Sequence, residues 1–395
     1  MTPSESEEKL WNIEFAVVAL ILFCCASGLA IFFDFHKYLE SLQVPPSWIG
    51  PLIGADGLSG LAALLWATLM LRKRHIQRAI TGGAVIFWLS LWSYLWVDKP
   101  LTILLVRLLH GCGFALLLAA LTLRLSKAIP RRCSGTAFGI IALARLLPYA
   151  VIPPLLNYLS PGSLNFRSVV FFSAVFLTLL FPMIFILGRP KGEDSGTAVP
   201  HHSPRDLWRN LRQRTIAFLL AVCLLMQCSY VIVFFYINVY ARRLNLSNPG
   251  LFFGVASLLM ILTRLAGAAL GDRFEKRRLV IQAHLPLLIA FGCLAVGRGE
   301  PAFLSAAFLF GVGWGVGMPQ LNALLFDRSR PEFRGPNLNT SMIAIQVGFF
   351  LGPLGGGAIL ARFDYGVLFH ACAVLSLLSI FLLLGIPREL QKERE

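Results

Sequence analysis

Long apolar runs alternate with short polar segments along nearly all of the 395 residues. A run of about 17–25 mostly apolar residues is long enough to cross a bilayer as a helix. The runs are continuous rather than alternating, and they exceed the length of a barrel strand. The pattern therefore predicts an all-α membrane protein with twelve transmembrane helices, at 12–37, 47–71, 79–97, 100–124, 136–158, 166–188, 216–240, 250–271, 279–297, 301–326, 338–361 and 366–386.

The composition excludes most other classes of protein. Hydrophobic residues make up 57% of the chain and charged residues 14%, whereas a soluble domain has about 25% charged residues. A soluble enzyme, a disordered chain and a secreted disulfide scaffold are therefore not expected. Most of the cysteines lie inside apolar runs without metal-ligand or redox spacing, so they are interpreted as small core residues. No metal and no cofactor are predicted.

The basic residues predict the orientation of the chain. Of the 35 Lys and Arg residues, 24 lie on one set of surfaces. Because cytoplasmic loops are enriched in Lys and Arg, both termini are predicted to be cytoplasmic in a multi-pass protein of the cell inner membrane. The net charge of +15 is largely this bias, so no nucleic-acid partner is expected. The basic surfaces are the two termini and the loops near 72–78, 127–135, 189–214, 272–278 and 327–337.

A polar segment rich in Pro, Gly and Ser divides the chain into two parts of six helices each. Residues 189–214 are predicted to be a flexible cytoplasmic linker between domains at 1–188 and 215–395. The two parts also repeat a short motif, since 130–135 and 331–335 each begin with Pro, contain Arg and end with Gly. Two pseudo-symmetric six-helix bundles are a known transporter architecture.

Three motifs resemble signatures of the major facilitator superfamily. The segment 264–278 looks like its cytoplasmic loop motif, and 107–115 is similar to its motif with a buried arginine and close-packing glycines. The segment 348–357 resembles a glycine–proline pattern of its antiporters. In the first half, Leu71 stands where the loop motif has an acidic residue. The resemblance spans nearly the whole chain and is nearest to bacterial drug and sugar efflux proteins.

The resemblance implies alternating access, in which two bundles rock about a site at mid-membrane. It also implies a monomer that binds a small solute and protons within the lipid bilayer. The loop motif implies a cytoplasmic gate, in which Asp272 pairs with Arg273 or Arg264 or lies at a helix N-terminus. An ordinary set of loop charges is the alternative. The gate residues are Arg264, Gly267, Asp272 and Arg273.

Four ionisable residues of the first half fall near the middle of the membrane. At a rise of 1.5 Å per residue, they lie well inside a core about 30 Å thick. Each such charge costs about 2.5–3.5 kcal/mol or more, so a hydrated cavity in which the charges pair is predicted. These residues are Asp56, Arg107, His110 and Arg145.

Asp56 and His110 are the candidate proton carriers, because a histidine titrates near neutral pH and burial raises the pKa of a carboxyl group. The alternatives are a structural partner for the arginines and a packed histidine. Tyr149 shares a helical face with Arg145, and Asp34 is predicted nearer the outer mouth.

The second half offers polar and aromatic side chains rather than charges. The seventh helix carries polar and aromatic residues along one face, a pattern that fits either ligand binding or helix packing. Small residues in the fourth and eleventh helices are expected to allow close packing. The candidate cavity residues are Gln227, Tyr230, Asn238 and Gln346, and the packing residues are Gly111, Gly348, Gly352, Pro353 and Gly356.

The sequence predicts a proton-coupled secondary active transporter that moves a small organic solute by alternating access. The glycine–proline motif favours export, and the excess of cationic residues in the first half favours a solute with a polar or anionic group. The alternatives are an uptake symporter for a sugar, an organic acid or a metal chelate, and a membrane sensor that does not transport. An enzyme is not predicted, because the apolar runs contain no HExxH or GxSxG motif.

Overall fold

The computed structural model describes residues 13–70, 75–128, 134–159, 165–188, 204–271 and 275–387. Helices fill almost all of these ranges, and no strand occurs within them. The fifteen α-helices are α1 (Ile13–Ala30), α2 (Phe35–Ser41), α3 (Pro46–Met70), α4 (Ile76–Ser93), α5 (Pro100–Ala128), α6 (Ser134–Leu159), α7 (Phe166–Leu177), α8 (Leu180–Leu187), α9 (Pro204–Leu211), α10 (Arg214–Arg243), α11 (Leu251–Gly271), α12 (Lys276–Val296), α13 (Glu300–Arg328), α14 (Arg334–Leu360) and α15 (Tyr365–Leu384).

The membrane-spanning helices follow the predicted apolar runs. Among the described residues, ten helical segments are long and apolar enough to cross a membrane. The first combines α1, a 3₁₀ turn at Ile31–Asp34 and α2, and another combines α7 and α8. The two remaining predicted runs are occupied by α4 and by α11, whose shorter apolar part is Leu251–Arg264. The predicted all-α membrane fold is confirmed.

The predicted linker is not flexible throughout. Residues 189–203 lie outside the described part, but Pro204–Leu211 forms α9. Asn210 is only 2% exposed and donates from Nδ2 to Asn337 Oδ1 over 2.6 Å, and Asn337 donates in turn to Ser329 Oγ. The expectation of flexibility is wrong for these two turns of helix, because buried amide hydrogen bonds hold them against the second half.

In each half, a buried arginine donates hydrogen bonds to the C-terminal end of the last membrane-spanning helix. In the first half, the Arg124 guanidinium on α5 donates to the carbonyl oxygens of Leu187 and Gly188 at the end of α8. In the second half, Arg277 on α12 donates to the carbonyl oxygens of Leu383 and Leu384 at the end of α15. A helix C-terminus leaves carbonyl groups without intrahelical partners, so each arginine satisfies groups that would otherwise be buried and unpaired.

Replacing Arg124 with alanine is expected to destabilise the protein by about 3 kcal/mol, because several hydrogen bonds to a charged group are lost and carbonyl groups remain buried. Arg124 is 3% exposed and also donates to Glu14 Oε1 and Gln77 Oε1. Thermal unfolding in detergent measures the loss. The exposed Arg78, replaced in the same way, is the control. Equal unfolding temperatures for the two variants would contradict the prediction.

The two halves meet along two crossed helix pairs, α3 with α14 and α6 with α11. The face opposite Ile13 and Pro387 is here called the distal face, and it carries the loops 42–45, 94–99, 244–250 and 361–364. Close contacts between the halves extend along α3 to this face. A Cβ atom on Gly50 would lie 2.6 Å from the Pro353 carbonyl oxygen. On Gly250 it would lie 2.1 Å from the Pro153 carbonyl oxygen. Backbone therefore touches backbone where the halves close the distal face.

Candidate functional site

A small cavity lies between the two halves and is here called the central cavity. Its volume is about 40 Å³, which is enough for water but not for an organic solute. Aromatic side chains make up much of its wall. It is lined by Leu29, Phe32, Asp56, Arg107, Gly111, Phe114 and Tyr149 of the first half and by Phe234, Phe235, Gln346 and Phe349 of the second.

Arg107 is fixed within the first half. Its side chain is almost fully buried, and it donates from Nη2 to the Ile53 carbonyl oxygen over 2.8 Å and from Nε to that of Leu52 over 3.2 Å. The guanidinium carbon lies 4.9 Å from the centre of the Phe32 ring and 4.8 Å from that of Phe35. Such cation–π contacts stabilise a buried charge. Arg107 is thus held by backbone and rings, which leaves little of its charge for a solute.

Asp56 is the more accessible charge of the central cavity. Its Oδ1 atom lies 3.8 Å from Arg107 Nη1, which is an ion pair but too long for a hydrogen bond. No described residue donates a hydrogen bond to that oxygen, and the side chain is 16% exposed. Gly111 allows this arrangement, since a Cβ there would lie 2.1 Å from the Asp56 carbonyl oxygen. The structure brings Asp56 and Arg107 together as the depth argument predicts.

His110 lies away from the central cavity. It is fully buried, with Nδ1 3.1 Å from Ser90 Oγ. Its ring lies 4.7 Å from that of Phe32 and 4.8 Å from that of Phe87. The position fits the packed-histidine alternative better than a proton carrier in contact with the solute.

Of the two residues predicted on α6, one lines the central cavity and the other does not. Tyr149 lines the central cavity and meets the Phe234 ring edge to face at 5.5 Å. Arg145, one turn nearer the termini, is exposed and does not line the cavity. The expected cavity of four charges therefore contains two, because His110 packs among aromatic rings and Arg145 lies one turn away from the cavity.

The predicted polar and aromatic residues of α10 also lie in different surroundings. Tyr230 packs against the Trp314 ring at 4.5 Å, and Gln227 is buried where a Cβ on Gly348 would lie 2.8 Å from it. Gln346 lines the central cavity, whereas Asn238 lies elsewhere. Helix packing is thus the better description for Gln227 and Tyr230, whereas Phe234 on the same helix face lines the central cavity.

Asn238 belongs to a chain of polar contacts that joins the halves, here called the distal seam. Its Nδ2 atom donates to Asp34 Oδ1 in the first half, and its Oδ1 atom accepts from Arg242 Nε over 3.2 Å. Arg242 Nη2 donates back across the interface to Asn157 Oδ1 over 2.8 Å. Asp34 also lines an open cavity at this end with Lys37 and Arg167, so its predicted place near the outer mouth stands, with a hydrogen bond to the other half in addition.

The distal seam contains two residues that the sequence did not single out, Arg242 and Asn157. The sequence feature that could have identified them is that both are polar residues near the distal ends of apolar helices.

The structure describes only two of the four predicted gate residues, Arg264 and Gly267. Arg264 is partly buried on α11, and its Nε atom finds no acceptor among the described residues. Gly267 lies within α11, and Asp272 and Arg273 fall outside the described residues. The proposed cytoplasmic gate is therefore not visible.

Three glycines of α14 face α10. Added Cβ atoms would lie 2.8 Å from the Gln227 side chain at Gly348, 3.0 Å from the Cys228 carbonyl oxygen at Gly352 and 2.8 Å from the Tyr236 ring at Gly356. The Pro353 carbonyl oxygen accepts a hydrogen bond from Tyr236 Oη over 2.7 Å. These small residues thus let α14 lie directly on α10.

No group of three His, Cys, Asp or Glu side chains that could hold a metal ion occurs within the described ranges.

Comparison with known proteins places the chain in a family. Multidrug resistance protein MdtG of Escherichia fergusonii is 23% identical over 397 residues, which cover 95% of both chains. The MdtG protein of Escherichia coli O9:H4 is 24% identical over 94% of both.

Two solved structures show the same fold. The nucleoside transporter NupG has a TM-score of 0.76 at 14% identity and covers 95% of this chain and 98% of its own. A D-xylose–proton symporter has a TM-score of 0.78 at 12% identity and covers 95% of this chain and 97% of its own. The family model described as Major Facilitator Superfamily matches residues 15–338. The chain therefore belongs to the Major Facilitator Superfamily of transporters.

Proposed function

We propose that this transporter exports a small amphiphilic, aromatic solute in exchange for protons. The observation that carries the proposal is the position of Asp56, whose carboxylate faces an aromatic cavity between the halves while Arg107 is held by backbone carbonyl oxygens. Aromatic rings bind flat or cationic organic groups. The names of the MdtG relatives, which describe multidrug resistance proteins, support the same class of solute.

The geometry shifts the expected chemistry of the solute. The excess of cationic residues favours an anionic group when the sequence is considered alone. In the structure, Arg107 is 1% exposed and donates to two backbone carbonyl oxygens, whereas Asp56 Oδ1 accepts no hydrogen bond from the described residues. A solute that carries a positive charge or a hydrogen-bond donor therefore fits the cavity better than an anion.

Competition for Asp56 provides the coupling. A proton on the carboxyl group removes the charge that attracts the solute, and a bound cationic solute disfavours protonation. If only one of the two binds at a time, each change between the inward-open and the outward-open state carries either the solute or a proton. This alternation is the requirement for exchange. The distribution of basic residues supports placing the termini in the cytoplasm, so that the distal face is external.

Reconstituted vesicles test this function. Ethidium, a permanently charged aromatic cation, is the probe, and the membrane potential is clamped. An exchanger accumulates ethidium inside the vesicles when the lumen is acidic, because protons leave as the cation enters. Accumulation only when the outside is acidic would identify an uptake symporter instead. Binding without flux under either gradient would identify a sensor, and both results would overturn the proposal.

A further inference from the structure

A second and larger cavity opens at the distal face between the two halves and is here called the distal vestibule. Its volume is about 420 Å³, which lies within the usual range of about 300–1,000 Å³ for small-molecule sites. The first half contributes α2 and the loop that follows, and the second contributes the ends of α10 and α14 and the start of α15. The polar and aromatic lining residues are His36, Glu40, Gln43, Tyr236, Arg243 and Tyr365.

The distal vestibule holds one acidic and one basic side chain on opposite halves. Glu40 belongs to the first half and its side chain is 39% exposed, with Oε1 3.8 Å from Nε2 of the buried His36. Arg243 belongs to the second half and is exposed. Among the described residues, Arg243 forms no ion pair with any carboxylate, Glu40 included. Each charge is thus available to a molecule in the vestibule.

Aromatic groups stand beside both charges. The Arg243 guanidinium carbon lies 5.0 Å from the centre of the Tyr365 ring, and the His36 ring meets that of Tyr236 edge to face at 4.8 Å. Phe363 is 61% exposed at the rim. The Tyr365 hydroxyl is buried and has no hydrogen-bond partner within the described ranges.

We propose that the distal vestibule is a second binding site, distinct from the central cavity, for a zwitterionic solute with an aromatic ring. The carboxylate of the solute pairs with Arg243, its ammonium group pairs with Glu40, and its ring lies against the aromatic wall. An anion meets Glu40 unpaired, and a cation meets Arg243 unpaired. A zwitterion is the class of molecule that satisfies both, since charge-assisted hydrogen bonds need opposite partners.

The two charges lie where a bound solute would link the two halves of the protein. Because Glu40 and Arg243 lie on different halves, a bound zwitterion joins the halves at the distal face. A ligand shifts a conformational equilibrium toward the state that it binds better. Occupancy of the vestibule therefore favours the state in which the distal face is closed.

Three probes with the same ring test the proposal by calorimetry on the purified full-length protein. They are L-phenylalanine, which carries both charges, phenylacetate, which carries the carboxylate alone, and phenethylamine, which carries the ammonium group alone. L-phenylalanine is expected to bind at least about tenfold more tightly than phenylacetate, because one charge pair is lost. The same ratio is expected against phenethylamine in the D56N variant, in which the central cavity no longer attracts cations. R243Q and E40Q are each expected to weaken L-phenylalanine binding by a similar factor.

Two control variants separate this site from the rest of the molecule. R362Q removes a charge from the exposed Arg362, which lies on the same face but does not line the vestibule. D56N alters the central cavity alone. Both are expected to bind L-phenylalanine as the unmodified protein does. The proposal is overturned if the three probes bind equally, if R243Q and E40Q bind normally, or if D56N abolishes binding while R243Q does not.

Discussion

Replacing Asp56 with asparagine is expected to reduce proton-driven transport to the background of protein-free vesicles and to leave the protein folded. Asparagine has nearly the same shape but neither a charge nor a titratable proton, so solute and proton no longer compete. The fold is expected to survive because Arg107 is held by the carbonyl oxygens of Leu52 and Ile53 rather than by Asp56. Ethidium flux under an acidic lumen and thermal unfolding are the two measurements.

The control for this variant is D206N, which makes the same chemical change on the exposed α9 helix, away from the central cavity. Asp56→Glu is the conservative variant and is expected to retain gradient-driven flux, because the carboxylate is kept. If D56N still accumulates ethidium under the gradient, another group carries the proton. The fully buried His110 is then the next residue to test.

The helices of this protein could be predicted from the sequence because a membrane imposes a local rule. A span must be apolar for about 20 residues and must satisfy its own backbone hydrogen bonds. The run predicted at 100–124 is observed as Pro100–Ala128, and that at 366–386 as Tyr365–Leu384. The helix in the predicted linker was missed, since Pro204–Leu211 is polar and is held by contacts that lie far away in sequence.

The candidate site could be predicted only in part, because sequence depth places a residue along the membrane normal but not around the helix axis. Asp56 and Arg107 have similar depths and also face each other. His110 has a similar depth but faces an aromatic cluster. Arg145 shares the helix face of Tyr149 but lies one turn nearer the termini, so for this residue the estimated depth was itself off by about one turn. The distal seam could not be predicted, since Asp34 and Asn238 are 204 positions apart and meet only when the halves are assembled.

Replacing Gly357 with valine is expected to slow transport at least about tenfold by preventing closure of the distal face. An added Cβ would lie 2.8 Å from the Gly50 Cα atom and 3.0 Å from its backbone nitrogen. Both are backbone atoms, so the clash is relieved only if α3 and α14 separate. Overpacking of this kind costs about 1–3 kcal/mol, and a shift of 1.4 kcal/mol lowers the population of a state about tenfold.

The same helix supplies the control. A Cβ atom on Gly355 meets nothing within 4 Å, so Gly355→Val makes the same substitution in α14 without touching α3. A cysteine introduced at Ile49, which is 6% exposed and lines the distal vestibule, reports closure through its rate of labelling by an impermeant maleimide. Faster labelling and slower flux in Gly357→Val, with neither change in Gly355→Val, would show that contact between the two glycines closes this face. Equal flux and labelling in the two variants would mean that the halves close elsewhere. The separation of α3 from α14 would then not be the movement that opens the distal side.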